Sequence, residues 1–168
     1  MNNSTKIKIY TDGSCLGNQF KGADGGYGAL IHTPNESIEL AQGYRTTTNN
    51  RMELRAVIAA LLVIPPESDV TLYSDSKYVI DAFVQGWLNN WIKSGWRKSN
   101  RKPVENQDLW KELLENIHGH NIRWEWVRGH SGNQLNGCAD ILARVGASGN
   151  NKMFDDVGLT IATVVSSY

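Results

Sequence analysis

Four acidic residues stand in short polar strings whose composition is suited to one catalytic site. The strings are TDGSCLGN around Asp12, TTNNRMEL around Glu53, YSDSKY around Asp75 and NGCADILA around Asp140. Four ionised carboxylates in one place would repel each other, by roughly 4 kcal/mol per pair at about 4 Å with an effective dielectric near 20. Cations would remove that repulsion, and an all-oxygen ligand set favours Mg²⁺ or Mn²⁺ over zinc. The sequence therefore indicates a magnesium site suited to phosphoryl transfer.

Three of these acids also have a purely structural interpretation. Asp12 precedes a glycine as in many turns, Asp75 could cap the helix that follows it, and Asp140 suits the first turns of a helix. Glu53 is different, because it lies in a predicted helix that is apolar almost all round. A buried carboxylate needs a cation or an open cleft, since burying an unpaired charge costs several kcal/mol.

The order of the predicted elements is typical of an α/β protein with a mixed sheet. Residue periodicity and turn residues predict strands over 6–11, 27–32, 37–44, 70–74 and 121–127, and helices over 51–64, after Asp75, over 106–117 and over 138–147. Asn49 and Asn50 are expected to cap the first helix. If the fourth strand lies beside the first, Asp12 and Asp75 meet at the carboxyl ends of those strands, where open α/β sheets bind ligands.

Length and composition indicate one globular domain. The chain has 168 residues, of which 40% are hydrophobic and 20% charged, and its longest apolar run, 56–64, is too short to span a bilayer. Its start has no signal-peptide pattern, so we expect a cytoplasmic protein without a membrane partner. No long heptad pattern suggests association, so we expect a monomer. Cys15 and Cys138 have neither disulfide nor zinc spacing.

The formal net charge is zero, so nucleic-acid binding would require a local basic patch. Residues 87–102, the basic segment, supply one and contain no acid. Their tryptophans and cations are Trp87, Trp91, Trp96, Lys93, Arg97, Lys98, Arg101 and Lys102. The alternative interpretation is a solvated amphipathic helix whose tryptophans pack inward.

The strings as a set resemble the ribonuclease H type 1 family, close to its bacterial single-domain form. TDGSCLGN, GGYGAL, TTNNRMEL, the basic segment, WEWV, VRGHSG and NGCADILA occur in the family's order and spacing. The resemblance implies a ribonuclease H-like fold, with a five-stranded mixed sheet flanked by helices. It places the catalytic domain over 1–148 and leaves 149–168 as a tail of unknown role.

The resemblance also implies an enzyme that hydrolyses the RNA strand of an RNA/DNA hybrid, leaving 5′-phosphate and 3′-hydroxyl ends. Asp12, Glu53, Asp75 and Asp140 would hold two Mg²⁺ ions, for which Mn²⁺ could substitute. His130, in VRGHSG, would transfer a proton or help to release the product. The same resemblance assigns hybrid contacts to Asn18, Thr48, Asn49, Asn50, Trp87, Asn90, Trp91, Lys93, Trp96, Arg97 and Lys98.

Three departures from the family pattern predict altered affinity rather than lost activity. The loop 17–26 is longer and lacks prolines, Arg45 stands one place early, and Gly137 replaces a common glutamate. Two other functions stay open. They are a nuclease of the same superfamily acting on branched DNA and a non-catalytic module that binds RNA/DNA hybrid.

Overall fold

The computed structural model describes residues 4–17, 22–129, 132, 134–156 and 158–166. In chain order the strands are β1 (Lys6–Cys15), β2 (Ala23–His32), β3 (Ser37–Thr47), β4 (Asp69–Ser74), β5 (Asn121–Trp126) and β6 (Lys152–Phe154). The helices are α1 (Asn49–Leu62), α2 (Lys77–Val84), α3 (Trp87–Lys93), α4 (Gln107–Ile117) and α5 (Gln134–Ser148). Among these helices, none has the length and apolar character needed to cross a membrane.

One mixed sheet has the strand order β5-β4-β1-β2-β3-β6. Strands β1, β2 and β3 form an antiparallel meander, whereas β4 runs parallel to β1 and β5 parallel to β4. The predicted α/β mixed sheet is confirmed, but across the described residues it has six strands and not five. The sixth, β6, pairs with β3 over only three residues, which is too short for a period-two pattern to reveal it.

Helix α1 occupies the centre of the molecule. It packs against β1, β2 and α4, and Met52 to Leu61 are buried along its whole circumference. Helix α5 packs against β1, β2 and β3 as well. The apolar sequence of α1 therefore reflects burial on every side, and the charged residues Glu53 and Arg55 within it must find partners inside the protein.

The start of α1 differs from the prediction in its capping residue. Thr48 is the N-cap, and its hydroxyl accepts a hydrogen bond from the backbone N–H of Arg51 at 3.3 Å. Asn49 and Asn50 are the first two helical residues. The two asparagine side chains are thus not used for capping, because the preceding threonine already supplies the oxygen that the first turn needs.

Candidate active site

Two glycines allow helices to approach the middle of the sheet closely. Asp12 pairs in register with Gly28 on β2. A Cβ atom on Gly13 would lie 2.6 Å from the backbone nitrogen of Glu53, and one on Gly28 would lie 2.3 Å from the carbonyl oxygen of Ala139. Any larger residue at either position would push α1 or α5 away from the strands. The glycines therefore bring Glu53 and the helix carrying Asp140 up to Asp12.

Strand β4 brings the third acid into place. Its parallel pairing with β1 ends at the Thr11–Ser74 pair, one residue before Asp12 and Asp75. The expected meeting of these two aspartates is confirmed. Asp12 is not at a strand end, however, because β1 continues to Cys15 in its pairing with β2. The site lies where β4 stops and leaves the edge of β1 open.

The carboxylates of Asp12, Glu53 and Asp75, the acidic triad, each offer an oxygen, and these oxygens lie within 4.8 Å of one another. Asp12 is 7% exposed and Glu53 8% exposed. Asp12 accepts a hydrogen bond from the backbone N–H of Gly13 at 2.9 Å. Glu53 Oε2 is buried without a hydrogen-bond partner among the described residues. This unsatisfied oxygen and the all-carboxylate donor set fit a hard divalent cation.

The electrostatics of the triad indicate the same need for a cation. Burial, together with the nearby charges of Asp75 and Asp140, raises the pKa of Asp12 to about 7 against the opposing effect of two hydrogen bonds. Burial, followed by the neighbouring Asp12, raises the pKa of Glu53 well above its ordinary value. Without a cation, the folded protein therefore favours protonated forms of these two acids.

Asp140 lies near the triad but outside it. Its carboxylate accepts a hydrogen bond from Arg144 Nε at 3.3 Å, and Arg144 Nη2 lies 3.1 Å away, one helical turn along α5. The predicted helix start at 138 was wrong. Helix α5 begins at Gln134, so Asp140 stands in its middle and the helix-dipole explanation for this acid does not apply.

Asp75 does not cap the helix that follows it. Ser76 is the N-cap of α2 and accepts from the backbone N–H of Val79 at 3.3 Å. The indole N–H of Trp126 donates to the backbone oxygen of Asp75 at 3.2 Å, and a Cβ on Gly129 would lie 2.7 Å from Asp75 Oδ2. The chain after β5 therefore runs directly past the Asp75 carboxylate.

Two predicted site residues cannot be placed in this arrangement. His130 and Asn18 lie outside the described residues. Among the other predicted substrate contacts at the start of α1, Asn50 is exposed. Asn49 is partly buried, and its buried Oδ1 has no hydrogen-bond partner in the described part of the chain. Thr48 uses its hydroxyl as the cap of α1. These three residues, 48–50, form the cap segment, one turn before Glu53.

The basic segment is not one helix. Helix α3 covers only its first part, and Trp96 then adopts a positive φ of 62°. Trp91 packs edge-on against Trp110 at 5.5 Å between ring centroids, and Lys111 Nζ lies 5.4 Å from the Trp96 ring centroid. The inward-packing alternative thus describes Trp91 and Trp96, which contact the core, while Trp87 is 41% exposed.

A concavity of about 480 Å³ opens on the outer side of the basic segment. Its lining residues are Trp87, Asn90, Trp91, Ser94, Arg97, Lys98 and Ser99. The aromatic faces, amide and cations of this concavity are suitable for a phosphate-bearing polymer. Lys93 and Trp96 belong to the same segment but do not line it.

Sequence reasoning missed a second buried cluster of charge. Asp155, in the tail, has a side chain with 0% exposure that pairs with Arg51 at 2.7 Å and Arg55 at 2.6 Å. The argument that singled out Glu53 applies equally to Arg55, because both are charged residues in the same apolar helix. That signal could have predicted a buried acid, although not its position about 100 residues away.

The fold and the acidic triad define this chain as a ribonuclease H-like α/β protein. The RNase H family model matches residues 4–148, and the chain belongs to the ribonuclease H family. The predicted family is confirmed, and with it the class of enzyme.

Named relatives and a solved structure agree with this assignment. Ribonuclease H of Pseudoalteromonas atlantica is 50% identical over 150 residues, covering 89% of this chain and 95% of that protein. Ribonuclease H of Pectobacterium carotovorum subsp. carotovorum is 48% identical over 153 residues, covering 91% and 96%. The crystal structure of LC9-RNase H1, a type 1 RNase H with the type 2 active-site motif, superposes with a TM-score of 0.80 at 32% identity, covering 98% of this chain and 78% of that one.

Proposed function

We propose that this protein hydrolyses the RNA strand of RNA/DNA hybrids and leaves 5′-phosphate and 3′-hydroxyl ends. The observation that carries the proposal is the buried acidic triad, in which one Glu53 oxygen has no hydrogen-bond partner among the residues that the structure describes. Three carboxylates at this spacing destabilise the protein unless a cation joins them. A non-catalytic binding module has no use for such a cluster, and relatives at 50% and 48% identity carry the name Ribonuclease H.

Asp12, Glu53 and Asp75 would hold Mg²⁺, and Asp140 would complete the ligands of a two-ion site in which Mn²⁺ could substitute. Metal ions held by these carboxylates would supply positive charge to the scissile phosphate and would activate the attacking water. The protein's contribution is positional. Gly13 and Gly28 let the backbone bring the carboxylates together, and the Arg144 guanidinium orients Asp140.

His130 would exchange a proton with the reacting groups or with the departing product. The preceding residue in the sequence, Gly129, lies against the Asp75 carboxylate, which supports this assignment. An imidazole has an ordinary pKa near neutral pH, which suits a group that both accepts and donates a proton.

Hybrid binding would extend from the cap segment to the basic segment. Asn18, Asn49 and Asn50 offer amide donors and acceptors for base edges and 2′-hydroxyls, and Thr48 with Asn90 would bind a phosphate of the DNA strand. Trp87 and Trp91 would contact sugars of that strand, and Trp96 supports the segment from within. Lys93, Arg97 and Lys98 supply charge that attracts phosphates without regard to sequence.

The testing experiment incubates the protein with one labelled RNA strand that is paired to DNA, paired to RNA, or single, in Mg²⁺ and in excess EDTA. Cleavage of the hybrid alone, and only with metal, is the expected result. The Asp75→Asn variant should be inactive, whereas Asp156→Asn, an equal loss of charge on an exposed tail residue, should retain activity. Tight hybrid binding without cleavage would favour the binding module, and cleavage of branched DNA would favour the other nuclease.

The same proposal covers the extent of the catalytic domain, the oligomeric state and the location of the protein. Residues 1–148 would form the catalytic domain, acting as a monomer in the cytoplasm. Size-exclusion chromatography with light scattering gives the oligomeric state directly. A mass of 18.7 kDa is expected for the single chain.

A further inference from the structure

The tail folds back onto the body of the protein and buries a charged residue there. Strand β6 pairs with β3, and the next residue is Asp155, whose side chain is completely buried. Farther on, the backbone N–H of Ala41 donates to Thr163 O at 3.0 Å, and that of Val165 donates to Glu39 O at 2.8 Å. The match to the family model ends at residue 148, so that match assigns no role to this contact.

Asp155 binds to both sides of the cap segment. Its Oδ2 accepts hydrogen bonds from the hydroxyl of Thr47, the last residue of β3, and from Arg51 Nε at 2.7 Å. Its Oδ1 accepts from Arg51 Nη2 at 3.1 Å and from Arg55 Nη2 at 2.6 Å. Thr47 and Arg51 immediately flank residues 48–50. One buried carboxylate therefore sets the distance between the end of β3 and the first turn of α1.

The partners of Asp155 are themselves held in place. Arg51 Nη2 also donates to Asp108 Oδ2 at 2.7 Å, at the start of α4. Arg55 Nη1 donates to Thr160 Oγ1 at 3.1 Å, and the backbone N–H of Thr160 donates to Glu112 Oε1 at 2.7 Å. Both arginines thus have fixed orientations before any ligand binds. Fixed orientations are what a binding segment needs, because a misplacement of about 1 Å is enough to weaken binding and rate.

Charge at the start of α1 gives Asp155 a specific task. Arg51 lies in the first turn, where the positive end of the helix dipole disfavours a cation. Without Asp155, Arg51 would keep its bonds to Asp108 and Asn106, and the first turn of α1 would lose its link to Thr47. The cap segment would then be attached to the sheet only through its own backbone.

We propose that Asp155 is a positioning residue for hybrid binding, which holds the cap segment in the conformation that contacts the hybrid. This inference rests on the proposed function, since that function assigns Thr48, Asn49 and Asn50 to the substrate. It gives the tail a defined role in substrate affinity. The same carboxylate does not touch the acidic triad, so the chemical step should be spared.

The first test measures kcat and KM of the full chain on RNA/DNA hybrid for wild type and Asp155→Asn, at a temperature where circular dichroism shows both fully folded. We expect KM to rise about tenfold, because a change of that size corresponds to the loss of one or two ordinary hydrogen bonds. The kcat value should stay within about twofold of wild type. Asp156→Asn, the exposed neighbour, should match wild type. An unchanged KM, or a loss confined to kcat, would overturn the inference.

A second variant covers the case in which Asp155→Asn does not fold. Thr47→Val removes only the hydroxyl that donates to Asp155 and keeps the shape of a β-branched side chain. We expect it to raise KM about threefold, roughly half a logarithmic unit of affinity. A folded Thr47→Val protein with the KM of wild type would count against positioning through this bond.

A double-mutant cycle separates positioning from general loosening. If Asp155 acts through the cap segment, its effect on KM should shrink in an Asn50→Ala background and persist in a Trp87→Ala background. Equal effects in both backgrounds would contradict the inference. Hybrid affinity measured by fluorescence anisotropy in EDTA should follow the same pattern. Wild type that cleaves no hybrid would reject the proposed function instead, whereas wild type that cleaves normally beside an unaltered Asp155→Asn would reject only the role of Asp155.

Discussion

Helix α1 carries two buried charges, two residues apart, that are treated in opposite ways. Glu53 meets Asp12 and Asp75, and one of its oxygens has no partner among the described residues. Arg55 meets Asp155 and Thr160 through short hydrogen bonds. The first cluster gathers like charges, and the second pairs unlike ones. A fully paired cluster stabilises an arrangement, whereas an unpaired one indicates a place for a ligand.

The pKa shifts of the acids separate the two clusters by sign. Burial raises the pKa of Asp12 to about 7 and that of Glu53 well above its ordinary value. Burial acts on Asp155 in the same direction, but hydrogen bonds from Arg51, Thr47 and Arg55 outweigh it and hold the pKa of Asp155 below its ordinary value. Burial alone therefore does not identify a functional acid. The charge of the neighbouring side chains separates the two cases, since Asp12 and Glu53 lie beside other acids and Asp155 lies beside two arginines.

The largest expected effect comes from removing one member of the acidic triad. Asp75→Asn should lower kcat by about a thousandfold, the equivalent of about 4 kcal/mol of transition-state stabilisation, because a ligand of the cation is lost. Hybrid affinity in EDTA should stay within about twofold of wild type, since no phosphate contact changes. Single-turnover cleavage and fluorescence anisotropy measure the two quantities. Cleavage at the wild-type rate would refute the assignment of the triad.

Breaking the paired cluster should reduce stability instead. Arg55→Met keeps most of the side-chain volume but leaves Asp155 buried with fewer donors. The free energy of unfolding should fall by about 3 kcal/mol, as for other buried ion pairs that lose one partner. Urea denaturation followed by circular dichroism measures it. A fall below about 1 kcal/mol would show that this pairing contributes little to stability.

The pH dependence of stability should distinguish the clusters next. Between about pH 4 and 7 the folded, metal-free protein binds more protons at Asp12 than the unfolded chain does, so this residue lowers the free energy of unfolding as pH rises. Asp12→Asn removes that effect. In EDTA, the free energy of unfolding of the variant minus that of wild type should increase by about 2 kcal/mol or more from pH 4.5 to pH 8.

Asp155 has the opposite effect, because its contribution to the free energy of unfolding is lost as pH falls. Both proteins contain Asp155, so its contribution cancels when the variant is compared with wild type at the same pH. Urea denaturation at the two pH values supplies the four free energies. A constant difference between the two proteins would mean that Asp12 does not titrate in this range.

The smallest effect is expected at Asp108, the exposed partner of Arg51 at the edge of the Asp155 cluster. Asp108 contacts Arg51 at 2.7 Å, but its side chain is 48% exposed. Asp108→Asn should lower the free energy of unfolding by less than about 1 kcal/mol, because water screens the pair. The same denaturation assay measures it, with Arg55→Met as the buried counterpart. An effect as large as that of Arg55→Met would contradict the distinction between the exposed Arg51–Asp108 pair and the buried Arg55–Asp155 pair.

The acidic site could be predicted largely from the sequence because its signals are local. Glu53 stands in an apolar helix, and Asp12 and Asp75 follow runs of alternating residues that predict strands, although β1 itself continues past Asp12 to Cys15. The position of α5 was harder to predict. The predicted helix began just after Gly137, yet the structure extends it back to Gln134, because the packing of α5 on the sheet overrides the low helix propensity of glycine.

The α/β class, the core helix and the acids of the candidate metal site follow from the sequence alone, because periodicity and the cost of buried charge act within a few residues. Only the tertiary structure decided that Arg144 pairs with Asp140 and that Thr48 caps α1. The pairing of β6 with β3, and the position of Asp155 between Arg51 and Arg55, are likewise visible only in the folded structure. The contacts of the tail join residues about 100 positions apart, and their energy exists only once the chain has folded.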